Sequence, residues 1–231
     1  MHYGVLEEEI IKATPIDQII ALDLEIHPHV TKPEEILLPS RQIIGIGMMY
    51  FTDDEPTLFV AEEEGNEYEL EILRAFNDFI ESQRPLLVVG YGISSFDRPF
   101  LTTKMKTQYR TEKLWAINDM IERAHFLGLA HPIRFYLYNK GYTEKPSFMD
   151  LETVLGQKAF KDLPLRREDK KLAPKGEDFA EKGKRITKLW KEDRKKFRRY
   201  LASDVYNCFV LCDFLHQLRQ IGSASNSLKR S

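Results

Sequence analysis

The sequence predicts an α/β fold: a mixed sheet of five strands, three antiparallel followed by parallel ones, flanked by helices. Three observations carry this. Three strand-like runs come early with loop or turn signals between them, amphipathic helical patterns then alternate with short buried runs, and a long apolar stripe at helical spacing lies near the end.

Ile16 to Ile26 is rich in β-branched and apolar residues over strand length and stops before His27-Pro28-His29, so it reads as a buried first strand. After a proline-containing loop, Gln42 to Phe51 reads as a second strand, Asp53-Asp54-Glu55-Pro56 as a turn and Thr57 to Val60 as a third strand. Leu70, Leu73, Phe76, Phe79 and Ile80 recur at helical spacing within Glu67 to Ser82, which predicts an amphipathic helix over the sheet. Leu86 to Tyr91 reads as a fourth, buried strand, and Phe96 to about Lys106 as the helix leaving its end.

Leu114, Ile117, Ile121 and Ala124 suggest another helix. Ile133 to Tyr138 alternates imperfectly and is read as a candidate strand, and Phe148 to Leu151 as a short fifth strand leading into a helix. Residues 157–184, with Pro164, Pro174, Gly176 and Gly183 among many charges, read as a basic surface loop. From Ile186 to Ile221, Leu189, Phe197, Leu201, Val205, Phe209, Cys212 and Leu215 fit one long helix packed on the sheet. The small polar tract that follows reads as a flexible tail over 222–231. No internal repeat is evident.

A chain of 231 residues with 42% apolar content can bury one sizeable core, so a single domain over 1–221 is expected. The N-terminus lacks the basic start and apolar run of a secretory signal, and no apolar stretch approaches the ~20 residues that span a bilayer. A soluble, cytoplasmic protein with no membrane partner is expected. Cys208 and Cys212 share a helical face, too few for a disulfide framework or a four-cysteine zinc site, and read as small core residues.

The net charge of −2 hides an uneven distribution. Between Lys158 and Arg199, lysine and arginine outnumber aspartate and glutamate by nine, leaving the remainder acidic. Such a run is either a solvated lysine-rich face or an electrostatic track for a phosphate backbone, and the charge alone does not choose.

Asp23 and Glu25 lie two apart on the first strand, so both carboxylates point to one face. Two like charges side by side in a buried strand need a cation or a proton. Asp97 follows the fourth strand at a strand-to-helix junction, where open α/β sheets bind ligands, although an aspartate there also suits a helix cap. Tyr200 and Asp204, four apart, share one face of the long helix. Read singly, each pattern is common; their order is the signal. His27 and His29 follow the first carboxylates and read as exposed loop histidines, while Phe96 is a candidate for stacking on a terminal base.

In that order the chain resembles the DEDD superfamily of 3′–5′ exonucleases in its tyrosine-containing branch, and above all the proofreading exonuclease domain of family B DNA polymerases. Ala21-Leu22-Asp23-Leu24-Glu25 is similar to the first motif, Gly90-Tyr91 with Phe96-Asp97-Arg98-Pro99 to the second, and Tyr200-Leu201-Ala202-Ser203-Asp204 to the third. Arg41 to Ile46 and Met149-Asp150-Leu151 also resemble family segments. The resemblance implies a ribonuclease-H-like fold and a nuclease releasing nucleoside 5′-monophosphates from the 3′ end of DNA, single strands preferred. It implies two Mg²⁺ or Mn²⁺ ions held by Asp23, Glu25, Asp97 and Asp204, with Tyr200 orienting the attacking water. Its oxygen-only ligands suit such hard cations. The implied partners are single-stranded DNA 3′ ends and replication or repair proteins. Competing classes are an endonuclease, an RNA-directed exonuclease and a noncatalytic nucleic-acid-binding accessory protein on the same fold. One departure stands out: the family's second motif usually carries an asparagine where this chain has Gly92.

Overall fold

The computed structural model describes residues 3–27, 41–167 and 179–227. Five strands form one sheet in the order β3-β2-β1-β4-β5. They are β1 (Ile19–His27), β2 (Gln42–Tyr50), β3 (Thr57–Val60), β4 (Leu87–Gly90) and β5 (His125–Gly128). The pairs β1·β2 and β2·β3 are antiparallel, whereas β1·β4 and β4·β5 are parallel. The architecture is the mixed α/β sheet that the sequence predicts.

The helices are α1 (Tyr3–Ala13), α2 (Asn66–Glu81), α3 (Asp97–Lys106), α4 (Trp115–Arg123), α5 (Ala130–Asn139), α6 (Leu151–Leu155), α7 (Phe179–Glu192) and α8 (Arg194–Ser227). Alternation along β1 divides the core. Ile20, Leu22, Leu24 and Ile26 pack with α2 and α4 residues such as Leu73, Phe76 and Ile117. Ile19 and Ala21 face the other way, onto a core that includes Ile11 of α1, Ile133 of α5 and Cys208, Leu211 and Cys212 of α8. Strand period and helix stripe meet here: side chains two apart on β1 contact residues three and four apart on the helices. Among the described residues no helix is long and apolar enough to cross a membrane.

Five expectations need correction. The fifth strand is His125–Gly128, with only four residues in which to display a period, while Phe148 to Asp150 is irregular. Asp150 instead caps α6, its carboxylate accepting the Thr153 N–H at 2.7 Å. Ile133 to Tyr138 lies in α5, not in a strand: Pro132 sits in the first turn, where its missing N–H costs little, and Ile133 and Leu137 bury one face. The single long helix is two, because Asp193 restarts the chain by accepting the Lys196 N–H at 3.1 Å, so α8 begins at Arg194. The basic loop ends earlier than expected, since α7 begins at Phe179. At the other end, α8 runs through Gly222 to Ser227, into the tract read as a flexible tail. The N-terminal helix α1 was not anticipated.

A buried polar group ties α2 and α3 to β2. Glu69, wholly buried, accepts the Ile43 N–H at 2.7 Å, the Lys104 ammonium at 2.9 Å and the Tyr109 hydroxyl at 2.6 Å. Lys104, also buried, donates further to Gln108 at 2.7 Å.

Candidate active site

Asp23 and Glu25 occupy successive positions on one face of β1, opposite Gly47 and Gly45 of β2. Those two glycines set how closely α8 approaches. A Cβ at Gly47 would stand 2.7 Å from Val205 Cγ2 and 3.0 Å from Leu201 Cγ; one at Gly45 would stand 3.0 Å from both Leu201 and Phe197. With no side chain on β2 at this height, the Phe197-Leu201-Val205 stripe beds directly on the strand. Tyr200 and Asp204, on adjoining positions of α8, are thereby carried to the carboxylates of β1. One carboxylate oxygen from each of Asp23, Glu25 and Asp204 lies within 4.8 Å of the other two. The β1–β2 register shifts between Glu25 and Ile26, at the edge of the site.

Asp97 arrives from the other side. β4 pairs with β1 only as far as Ala21 and ends at Gly90, where a Cβ would lie 2.6 Å from the Leu22 carbonyl oxygen. Beyond that point the Leu24 N–H is taken by Asp97 Oδ1 at 3.0 Å. Asp97 opens α3, yet its carboxylate is committed to β1, between the two acidic residues of that strand. Burial above all, and then the charge of Asp23, push the Asp97 carboxyl up to about 8. A buried carboxyl next to a like charge holds its proton unless a cation replaces it.

Glu25, Asp97 and Asp204 are buried, and Asp23 is half-buried. An ion about 2.1 Å from each of its oxygens holds opposite oxygens about 4.2 Å apart, so the Asp23, Glu25 and Asp204 group fits a hard divalent cation after small rotamer adjustments. Among the described residues this is the group of side chains arranged to hold a metal.

Two basic residues of α7 also reach the site, and sequence reasoning missed both. Burial works to lower the pKa of Lys182, but neighbouring Tyr200, Glu152 and Glu25 together raise it, so the ammonium stays charged. Lys182 Nζ lies 3.9 Å from Glu152. The guanidinium of Arg185, three residues on, sits 5.5 Å from the centre of the Tyr200 ring. Their only sequence signal was the basic run, read as an undifferentiated loop.

His27 stands apart from the carboxylates in its contacts. Its ring pairs with Thr187 at 3.2 Å and Glu64 at 3.2 Å and lies 5.6 Å from Trp190, so it fastens β1 to α7. Burial, the largest influence, lowers its pKa. His29 lies outside the described residues. Phe96 is half-buried, stacked parallel to Phe100 at 6.4 Å, and forms part of the wall of a cleft beside the site.

The family described as DNA polymerase family B, exonuclease domain, matches residues 14–158. Among solved structures, the chain is similar to the family B DNA polymerase from the hyperthermophilic archaeon Pyrobaculum calidifontis, with a TM-score of 0.56 and 18% identity. That likeness covers 85% of this chain and 24% of the polymerase, and at such identity it speaks to fold alone. Against curated protein sequences the chain has no match.

Proposed function

The chain belongs to the exonuclease-domain family of family B DNA polymerases, and from that premise we propose that it is a metal-dependent 3′–5′ exonuclease releasing nucleoside 5′-monophosphates from DNA 3′ ends, single strands preferred. One observation supports this most: carboxylates from β1, α3 and α8, distant in sequence, converge beside a tyrosine hydroxyl and a lysine ammonium.

Asp23, Glu25 and Asp204 would hold one divalent ion, Mg²⁺ or Mn²⁺, and Asp97 with Asp23 a second. Bound there, the ions would supply charge neutralisation at the scissile phosphate and a water acidified enough to attack. The rest falls to the chain's own groups. The Tyr200 hydroxyl orients that water by hydrogen bonding. Lys182 places a positive charge beside Tyr200 and Glu25. Leu24 N–H holds Asp97 in place, and the Gly45–Gly47 pair holds α8 at the distance the group needs.

The test is digestion of 5′-labelled single-stranded DNA and of the matching RNA, with a circular single strand as control. The expected outcome is a ladder shortening from the 3′ end only with Mg²⁺ or Mn²⁺, an uncut circle and faster loss of DNA than of RNA. Cleavage of the circle would make the chain an endonuclease, and an intact linear strand would leave a noncatalytic binding protein. Tyr200→Phe should lower kcat while leaving metal affinity largely unchanged.

A further inference from the structure

Helices α3 and α4 leave a groove of about 510 Å³ between them. Arg98, at the start of α3, donates to the Ile121 carbonyl near the end of α4 at 3.4 Å, and residues 107–114 join the opposite ends, so the two helices run antiparallel. With ten residues in α3 the groove is about 15 Å long, room for about four or five residues of extended chain. Met105 and Ile121 give it an apolar wall, and Thr102, Lys106, Asn118 and Glu122 form its polar rims.

Trp115 stands at the loop end of this groove. It opens α4 one turn before Asn118, so the two share a face of the helix, and it is 70% exposed. Its position is fixed from below: the buried Asn77 of α2 accepts the Ala116 N–H at 2.9 Å and the Ile117 N–H at 3.3 Å, which caps α4 and holds the backbone under the indole. The other tryptophan, Trp190, is buried and donates its indole N–H to the Ala61 carbonyl at 2.8 Å. A rigidly held indole left in water is the kind of side chain on which protein interfaces concentrate their binding energy.

Charge at the same end is one-sided. Lys106, Arg110 and Lys113 are exposed, and among the described residues none of them has a carboxylate at ion-pair distance, while Glu112 is taken by Arg74 at 2.8 Å and Asp119 by Arg123. A second copy docked through the same face would set cation against cation. The cations would attract a nucleic acid too, but its phosphates would then lie along the apolar wall and end against Glu122. Arg98, at that far end, is turned inward, its guanidinium 5.1 Å from the centre of the Phe126 ring. An acidic peptide meets neither obstacle: its apolar side chain covers the wall and the indole, and its carboxylates reach the cations.

We infer that the α3–α4 groove docks an acidic segment of a partner protein, with an apolar side chain laid against Trp115 and carboxylates facing Lys106, Arg110 and Lys113. None of the carboxylates of the candidate active site lines the groove, so docking and hydrolysis are separable.

The experiment selects peptides from a random display library on the full chain. Each enriched peptide is synthesised, and its affinity is measured by anisotropy for wild type, Trp115→Ala, Lys106→Glu and Lys113→Glu, every variant being checked by thermal unfolding. Acrylamide quenching of tryptophan fluorescence with unlabelled peptide reads the groove directly, because Trp115 is exposed and Trp190 is buried. Enriched peptides should combine an apolar residue with aspartate or glutamate and should protect the indole from quenching. Trp115→Ala should weaken binding about 30-fold, as expected of an interface hot spot. Each charge reversal should weaken it by about tenfold at low salt and by less at high salt. A peptide whose acidic residues are changed to lysine should bind the Lys106→Glu, Lys113→Glu double variant better than wild type. Nuclease activity of Trp115→Ala on a short oligonucleotide should match that of wild type.

No enrichment, enriched peptides without acidic residues, affinity unchanged in Trp115→Ala, or undiminished quenching in the complex would each overturn the inference. Oligothymidylate in EDTA that displaces the peptide and protects the indole would assign the groove to nucleic acid and overturn it as well, as would a dimer that Trp115→Ala dissociates. A wild-type chain that never cleaves DNA sinks the exonuclease reading alone, and the peptide arm still decides the groove.

Discussion

Among the described residues, the molecule buries carboxylates in two places and treats them oppositely. Glu69 is completed from within: a backbone N–H, a lysine ammonium and a tyrosine hydroxyl all point at it, and both Glu69 and Lys104 are lost to solvent. At the end of β1 the chain instead collects acids against acids, and the mark of it is the Asp97 carboxyl, pushed up to about 8 by burial and by Asp23. One arrangement is a structural clamp between α2, α3 and β2. The other is a site that is complete only when a cation takes the place of a proton. Burial of a carboxylate therefore says little about function; what the protein has placed opposite it decides.

The contrast can be broken first at the chemistry. Asp204→Asn should cut nuclease activity by more than the roughly 10–100-fold that even outer-shell groups of metal sites cost, with little change in folding. Activity assays and thermal unfolding of the same preparation check it. Lys104→Met should do the reverse. Removing one partner of a buried pair costs about 3–5 kcal/mol, which at about 2–4 °C per kcal/mol for a chain of this size is a drop in Tm on the order of 10 °C. The activity of the folded fraction at low temperature should stay near that of wild type.

Gly47→Ala touches both regimes. Its Cβ meets the stiff Val205 side chain, so α8 must shift, at about 1–3 kcal/mol for overpacking, and Mn²⁺ affinity should fall with Tm because Asp204 moves with the helix. The last effect concerns Asp97 alone and depends on pH. Its folded-state pKa lies above the unfolded value, so the folded chain binds more protons between about pH 4 and 8 and loses stability as pH rises through that window. In metal-free protein, Asp97→Asn should therefore raise Tm at pH 8, by about 2–4 °C for each kcal/mol recovered, and the gain should vanish towards pH 4. Thermal unfolding in EDTA at the two pH values measures it.

The parts of this fold that were legible in the sequence are those with a long period to read. β1, β2, α2 and α3 fall within a few residues of the expected limits because each shows several turns or alternations. β5 has four residues and α5 begins with a proline, so neither displays its period, and a candidate strand was placed where Ile133 and Leu137 form a helical face. The break between α7 and α8 rests on one capping aspartate inside an otherwise continuous apolar pattern.

At the site, the order of Asp23, Glu25, Asp97, Tyr200 and Asp204 along the chain was readable because each sits on a strong element. Lys182 and Arg185 were hidden by the charge run that surrounds them. Gly45 and Gly47 were visible as residues of β2, but their use, clearing a bed for α8, depends on a helix more than 150 positions away.

The most direct test of the contrast is calorimetric titration of the metal-free chain with Mn²⁺ at pH 7, in buffers of different ionisation enthalpy so that proton release is counted. The account predicts saturable binding that expels a proton as the ion displaces it from Asp97, and loss of that binding in Asp23→Asn. No saturable binding, or binding that Asp23→Asn leaves intact, would contradict it.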